Sequence, residues 1–216
     1  MSKIIAIMLL LCCGMMLFGC ADDNGRRKAE QQKTIVVTDS VGRKVELPYP
    51  LERVAVCNVY NAELITAVGA IDKIVGVDNY IFKDQSGFKN RFNEAQVFGI
   101  SQNAMNYEKL AELAPQAVII TGEGTWRDAQ EMLDRFGIKV IVINSYYTDQ
   151  FADNCRLIGR IFGREEQAEE LVNYFNDKLA YIQKQLQGVP RRSLYFEYRT
   201  LGKTAVPGDY FYKMVE

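Results

Sequence analysis

AVIITGEGTWRDAQEMLDRFGIKVIVI, residues 117–143, decides the fold. Ala117-Val-Ile-Ile-Thr121 and Lys139-Val-Ile-Val-Ile143 are short, continuous runs rich in β-branched residues, as expected of strands buried on both faces. Thr125 to Phe136 between them reads as a helix stopped by Gly137. Two buried-type strands joined through a helix make a βαβ unit. Its strands run parallel and its crossover is right-handed.

The same alternation extends toward the N-terminus. Arg53-Val-Ala-Val-Cys57 reads as a strand. Asn61 to Val68 reads as a helix, with Leu64, Ile65 and Val68 at helical spacing, Asn61 as N-cap and Gly69 as terminator. Lys73-Ile-Val-Gly-Val77 is a further strand, followed by an irregular polar stretch from Lys83 to Asn93. Asn106 to Leu113 is a short helix with Asn106 capping, Glu108 in its first turn, and Pro115 ending it. Ahead of these, Thr34–Thr38 and Lys44–Leu47 form a β-hairpin around Asp39-Ser-Val-Gly42, closed by Pro48 and Pro50. Residues 34–148 therefore read as an α/β lobe on a mostly parallel sheet.

Toward the C-terminus, Asp149 to Gln187 is helical throughout, with a soft point at Gly163. Leu157, Ile158, Ile161 and Phe162 mark one apolar face, and Leu171, Tyr174, Phe175, Leu179 and Ile182 continue a stripe. A helix from Glu165 to Gln187 would be about 35 Å long at the α-helical rise, the length of a bridge, so 149–188 is expected to join two bodies. Gly188-Val-Pro190 ends it, Arg192–Tyr198 reads as a strand, and Asp209–Glu216 as the start of a helix. Residues 189–216 are expected to open a second α/β lobe that is truncated here.

The N-terminus is a targeting segment. Lys3 precedes an apolar run from Ile4 to Phe18, too short and too quickly followed by charge to span a membrane comfortably. Residues 1–19 read as a signal peptide, and Leu17-Phe-Gly-Cys20 resembles a lipobox in which Cys20 carries the lipid. An uncleaved anchor and an ordinary signal peptide are the alternatives. Residues 20–33 are charged and aperiodic, as in a flexible tether. The working part is thus expected outside the cytoplasmic membrane.

Composition narrows the function. With 26 basic and 27 acidic residues the net charge is −1, which gives no footprint for nucleic acid. The absence of histidine excludes Ser-His-Asp and Cys-His catalytic sets and histidine zinc sites. Cys57 and Cys155 have the compartment to form a disulfide, but equally suit a core.

The ordered series resembles the iron-siderophore/cobalamin class of ABC-transporter substrate-binding proteins. It comprises Thr34–Pro48, Pro50-Leu-Glu-Arg-Val54, Asn61-Ala-Glu-Leu64, Gly69–Val77, Asn106-Tyr-Glu-Lys-Leu-Ala-Glu-Leu-Ala-Pro115, Phe136-Gly-Ile-Lys-Val140, the long helix and Thr204-Ala-Val-Pro-Gly208. The resemblance implies two Rossmann-like lobes joined by one helix, a ligand in the cleft between them, and a permease with its ATPase as partners. It also implies that Glu108, in the pattern Asn-x-Glu-x-Leu, meets an arginine of the permease; the simpler role is helix N-terminal electrostatics.

In open parallel sheets ligands meet the loops after the carboxyl ends of the strands. Those loops carry Asn58, Tyr60, Tyr80, Ser101-Gln-Asn103, Trp126, Arg127, Tyr146 and Tyr147, with Tyr198 and Arg199 facing them from the second lobe. Aromatic faces suit large planar ligands, and Arg127 or Arg199 would meet anionic oxygens. The expected function is binding without catalysis or a resident cofactor, with a ferric siderophore ahead of a cobalamin-like chelate. An extracytoplasmic enzyme using Asp78, Glu123 or Asp128, and a tethered sensory domain, are the competing classes.

Overall fold

The computed structural model describes residues 33–198, 200–207 and 212. The signal peptide, Cys20, the tether as far as residue 32, Arg199, and the helix expected over Asp209–Glu216 apart from Tyr212 lie outside the described residues.

The hairpin is β1 (Thr34–Thr38) and β2 (Lys44–Pro48), antiparallel with Val36 opposite Glu46. It is followed by β3 (Val54–Val56), α1 (Val59–Ala67), β4 (Ile74–Val77), α2 (Asn79–Lys83), α3 (Tyr107–Leu113), β5 (Ala117–Ile120), α4 (Trp126–Asp134) and β6 (Lys139–Val142). Two helices, α5 (Phe151–Phe162) and α6 (Glu165–Gln185), complete the regular elements. β3 to β6 form one parallel sheet in the order β4-β3-β5-β6.

Period-two alternation splits the core into two layers. Val54, Val56, Ile119 and Ile141 point to one face, where α1, α5 and the start of α6 cover them. Ala55, Val118, Ile120, Val140 and Val142 point to the other, under Leu110 of α3 and Ala129 and Leu133 of α4. Each fully buried Leu or Ile contributes about 1.5–3 kcal/mol, so this three-layer α/β/α packing is the main source of stability. Cys57 and Cys155 are buried and unpaired; they fall in opposite layers, so the sheet stands between them.

The hairpin is fastened to the sheet by Asp39. Its Oδ1 accepts the N–H groups of Val41 and Arg43, and its Oδ2 accepts two guanidinium N–H groups of Arg43 at 2.9 and 2.6 Å. Oδ2 also accepts from Val142 N at 3.3 Å, while Ser40 N–H donates to Val142 O and Arg43 Nη2 to Val140 O. Ser40 Oγ donates to Asn154 and accepts from Asn144 N; Asn154 Nδ2 donates to Asn144 O. This buried polar web ties β1–β2, β6 and α5 into one unit.

Gly163, with φ +63°, ends α5 at the expected soft point, because a left-handed residue is what a helix stop requires. Gly159 lets the next helix approach: a Cβ there would lie 2.5 Å from Ala168 Cβ.

Two local expectations are corrected. The cap of α1 is Asn58, not Asn61; Asn58 Oδ1 accepts from Tyr60 N at 3.0 Å, whereas Asn61 is buried inside the helix, donating to Cys57 O and accepting from Ser145 Oγ. Arg192–Tyr198 is not a strand. Leu194 and Tyr195 are 68% and 75% exposed, and Tyr198 N–H closes a local loop onto Lys203 O at 2.9 Å. Strand preference expresses packing on a half-buried ladder, and this segment has no ladder neighbour among the described residues.

Candidate functional site

The sheet sets the place. After β3 the chain adds β4 on one side, then crosses to β5 on the other, so the loops leaving β3 and β5 diverge and open a crevice. A cleft of about 690 Å³ lies there, lined at its base by Asn58 after β3, Asp78 after β4 and Thr121 after β5. Tyr60, Glu63, Tyr80, Gln102, Asn103 and Glu123 form its walls.

Asn58 stands at the pivot. Its φ of 76° is a conformation non-glycine residues rarely adopt, and two interactions hold it. The backbone N–H donates to Asp78 Oδ2 at 3.0 Å, and the side chain caps α1. Asp78 in turn caps α2 by accepting from Ile81 N at 3.0 Å. Burial pushes the Asp78 carboxyl up from its ordinary range, while the N–H groups of Ile81, Asn58 and Tyr80 pull it back down. One carboxylate thereby joins the β3 and β4 loops.

Across the cleft, Gln102 pins its loop to the end of β5. Its Oε1 accepts from Thr121 N and Oγ1 at 3.0 and 2.8 Å, and its Nε2 donates to Glu123 O. Tyr146 donates its hydroxyl to Glu123 Oε1 at 3.0 Å, and its ring meets Tyr147 at 4.4 Å between centroids. Burial, then the hydrogen bonds to Tyr147 and Glu123, push the Tyr146 phenol up strongly. Glu63, midway along α1, has its carboxyl raised by burial and by the charge of Asp84.

The structure therefore brings Asn58, Tyr60 and Tyr80 together on the cleft, with Tyr60 and Tyr80 both exposed. Tyr146 and Tyr147 stand behind Glu123. Trp126 is placed elsewhere. It is 8% exposed in the second core layer, with the guanidinium groups of Arg43 and Arg127 stacked 4.3 and 4.1 Å from its ring centroid. Arg127 is committed to that stack. Tyr198 is half-buried in the irregular segment after α6 and is not part of the lining. Glu108 is exposed on the first turn of α3, which Asn106 caps as expected. Glu63 and Thr121 were not singled out by the sequence; Glu63 lies three residues after Tyr60, a spacing that puts both on one helix face.

Among the described residues, the cleft lining holds three carboxylates, those of Glu63, Asp78 and Glu123, and no basic side chain. No group of three or more Cys, Asp or Glu among the described residues is arranged to hold a metal ion, and no described helix is long and apolar enough to cross a membrane.

A family model described as periplasmic binding protein matches residues 54–213. The chain is similar to a periplasmic solute-binding protein from Veillonella parvula, with 28% identity and a TM-score of 0.60 over 73% of this chain and 50% of that one. It shares its fold with the petrobactin-binding protein YclQ of Bacillus subtilis, at 18% identity and TM-score 0.61, over 72% of this chain and 54% of that one. The molybdate-binding protein MolA of Haemophilus influenzae has the same fold, at 20% identity and TM-score 0.62, over 72% and 55%. The chain spans about half the length of these solved relatives. No curated protein matches it significantly.

Proposed function

The chain belongs to the periplasmic binding protein family, and from that premise we propose that it is the substrate-binding component of an ABC importer. It captures an iron(III)-siderophore or a cobalamin-like chelate outside the cytoplasmic membrane and delivers it to the permease, with the ATPase driving transport. The resemblance of Leu17-Phe-Gly-Cys20 to a lipobox supports tethering through lipid on Cys20.

The observation that carries this reading is the cleft of about 690 Å³ at the switch point of the sheet, walled by Tyr60 and Tyr80 and floored by Asn58. Its volume is that of a site for a drug-sized solute, too large for a single small oxyanion. Relatives of this fold are named for petrobactin and for molybdate; the space available here favours the larger kind of ligand. Hydroxyl, amide and aromatic faces suit a chelate that already wraps its metal, and Tyr146 and Tyr147 back the wall at Glu123. Arg199 and Tyr198 belong to the chain expected to face the cleft from a second lobe.

Titration of the purified protein with ferric chelates, followed by tyrosine emission, tests the binding role. Saturable quenching with the chelate recovered unchanged supports it; chemical conversion of the chelate, or no quenching by any of them, overturns it. Glu108 supplies a separate test of delivery. Glu108→Arg is expected to leave chelate binding intact while uptake stops, and unimpaired uptake removes the docking role.

A further inference from the structure

We propose that the cleft selects its ligand by charge, accepting neutral or cationic metal chelates and rejecting anionic ones. The inference rests on the receptor reading and deepens it.

Glu63 midway along α1 and Glu123 after β5 stand on opposite walls of the same cleft, with Asp78 at its base. Both glutamates are exposed, so a ligand entering the cleft meets them directly. Of the two basic residues the sequence offered, Arg199 lies outside the described residues, and Arg127 is turned away, over the Trp126 ring and outside the lining. The remaining polar groups there, Asn58, Tyr60, Tyr80, Ser101, Gln102 and Asn103, are uncharged. They accept or donate hydrogen bonds without cancelling a net negative field.

The field is large enough to discriminate. Two unit charges about 8 Å apart, at an effective dielectric of about 30, interact by roughly a factor of ten in affinity. A trianionic chelate near Glu63 and Glu123 is repelled several times over, whereas a cationic one gains by the same argument. The raised carboxyl of Glu63 agrees: its charge sits beside that of Asp84 and partly out of water, a position a positive ligand relieves. Bare cations are not the implied ligand, because the described residues offer no three-carboxylate cage. The ligand chemistry is that of a metal whose own donors leave the complex neutral or cationic, as in trihydroxamate iron complexes or cationic corrinoids.

The experiment is calorimetric titration of the purified protein with ferrioxamine B, a cationic trihydroxamate, and aquocobalamin, a cationic corrinoid. Ferrichrome serves as the neutral probe, and ferric citrate and a ferric tris-catecholate as anionic ones. One or both cationic probes are expected to bind at least tenfold more tightly than either anionic one, and which of the two binds identifies the chelate type. In Glu63→Gln/Glu123→Gln that preference should shrink by about tenfold or more, with folding unchanged by circular dichroism because both side chains are exposed. An anionic chelate that binds more tightly than the cationic ones, or a preference unmoved by the double substitution, overturns charge selection while leaving the receptor role standing. Failure of all five probes to bind overturns the receptor reading, and charge selection with it.

Discussion

The two halves of α6 follow one apolar spacing in different surroundings. In the first half Ala168 and Val172 are buried, Phe175 stacks on Phe151 at 4.1 Å, and Glu169 receives two hydrogen bonds from Arg156 at 2.6 and 3.1 Å. In the second half Leu179, Ile182 and Leu186 prolong the stripe yet are 41%, 50% and 57% exposed. The first half is held by tertiary packing. Among the described residues nothing buries the second, which rests on its own backbone bonds and on good helix formers such as Lys178, Ala180, Gln183 and Lys184. Periodicity thus tells which face of a helix is apolar, and says nothing of what lies against it.

The contrast can be broken most strongly at Gly159. Gly159→Val puts a Cβ 2.5 Å from Ala168 Cβ and 2.9 Å from Arg164 O, which should cost about 3 kcal/mol through forced separation of α5 and α6. Urea unfolding checks it; an unchanged midpoint would mean the two helices are not locked together. A matched pair sharpens the comparison at intermediate size. Val172→Ala, at a position 1% exposed, should lose about 2 kcal/mol, while Ile182→Ala on the open half should stay within about 0.5 kcal/mol. Equal losses in the same unfolding assay would show that both halves are covered. The smallest effect belongs to Arg156→Ala. Its ion pair with Glu169 is exposed, so the melting curve should overlay that of the parent protein, and a clear drop would assign the pair a structural role.

Much of the lobe was legible because its signals are local and mutually consistent. The β-branched runs that became β3 to β6, the cap Asn106, and the break at Gly163 each follow from chain chemistry close at hand. The alternation of Val54, Ala55 and Val56 even assigns residues to core layers. What escaped depended on distant neighbours. Asn58 and Asn61 are both plausible caps by residue type; only the carboxylate of Asp78, twenty residues on, decides which one leaves the helix. Trp126 was drawn to the cleft by its glycine-rich loop, yet Trp126, Ala129 and Leu133 share one helical face, and that face is buried. Arg192–Tyr198 carried strand-forming residues, and a strand is a property of two chains rather than one. At the cleft, the tyrosines at strand ends were readable from the sheet rule. Of the acids on the walls, Glu123 was named only as a carboxylate for a competing enzyme, and Glu63 escaped, since the two come together only through folding.

The grip of Asp39, Ser40 and Arg43 on β6 also governs how the lobe treats other molecules. An outermost strand with free amides and carbonyls is a template on which foreign chains stack and aggregate. Here the Val142 amide and the Val140 and Val142 carbonyls are already engaged by the neighbouring turn. That flank of the sheet offers an intruding chain few open groups, so crowded copies can lie side by side without zipping together along it.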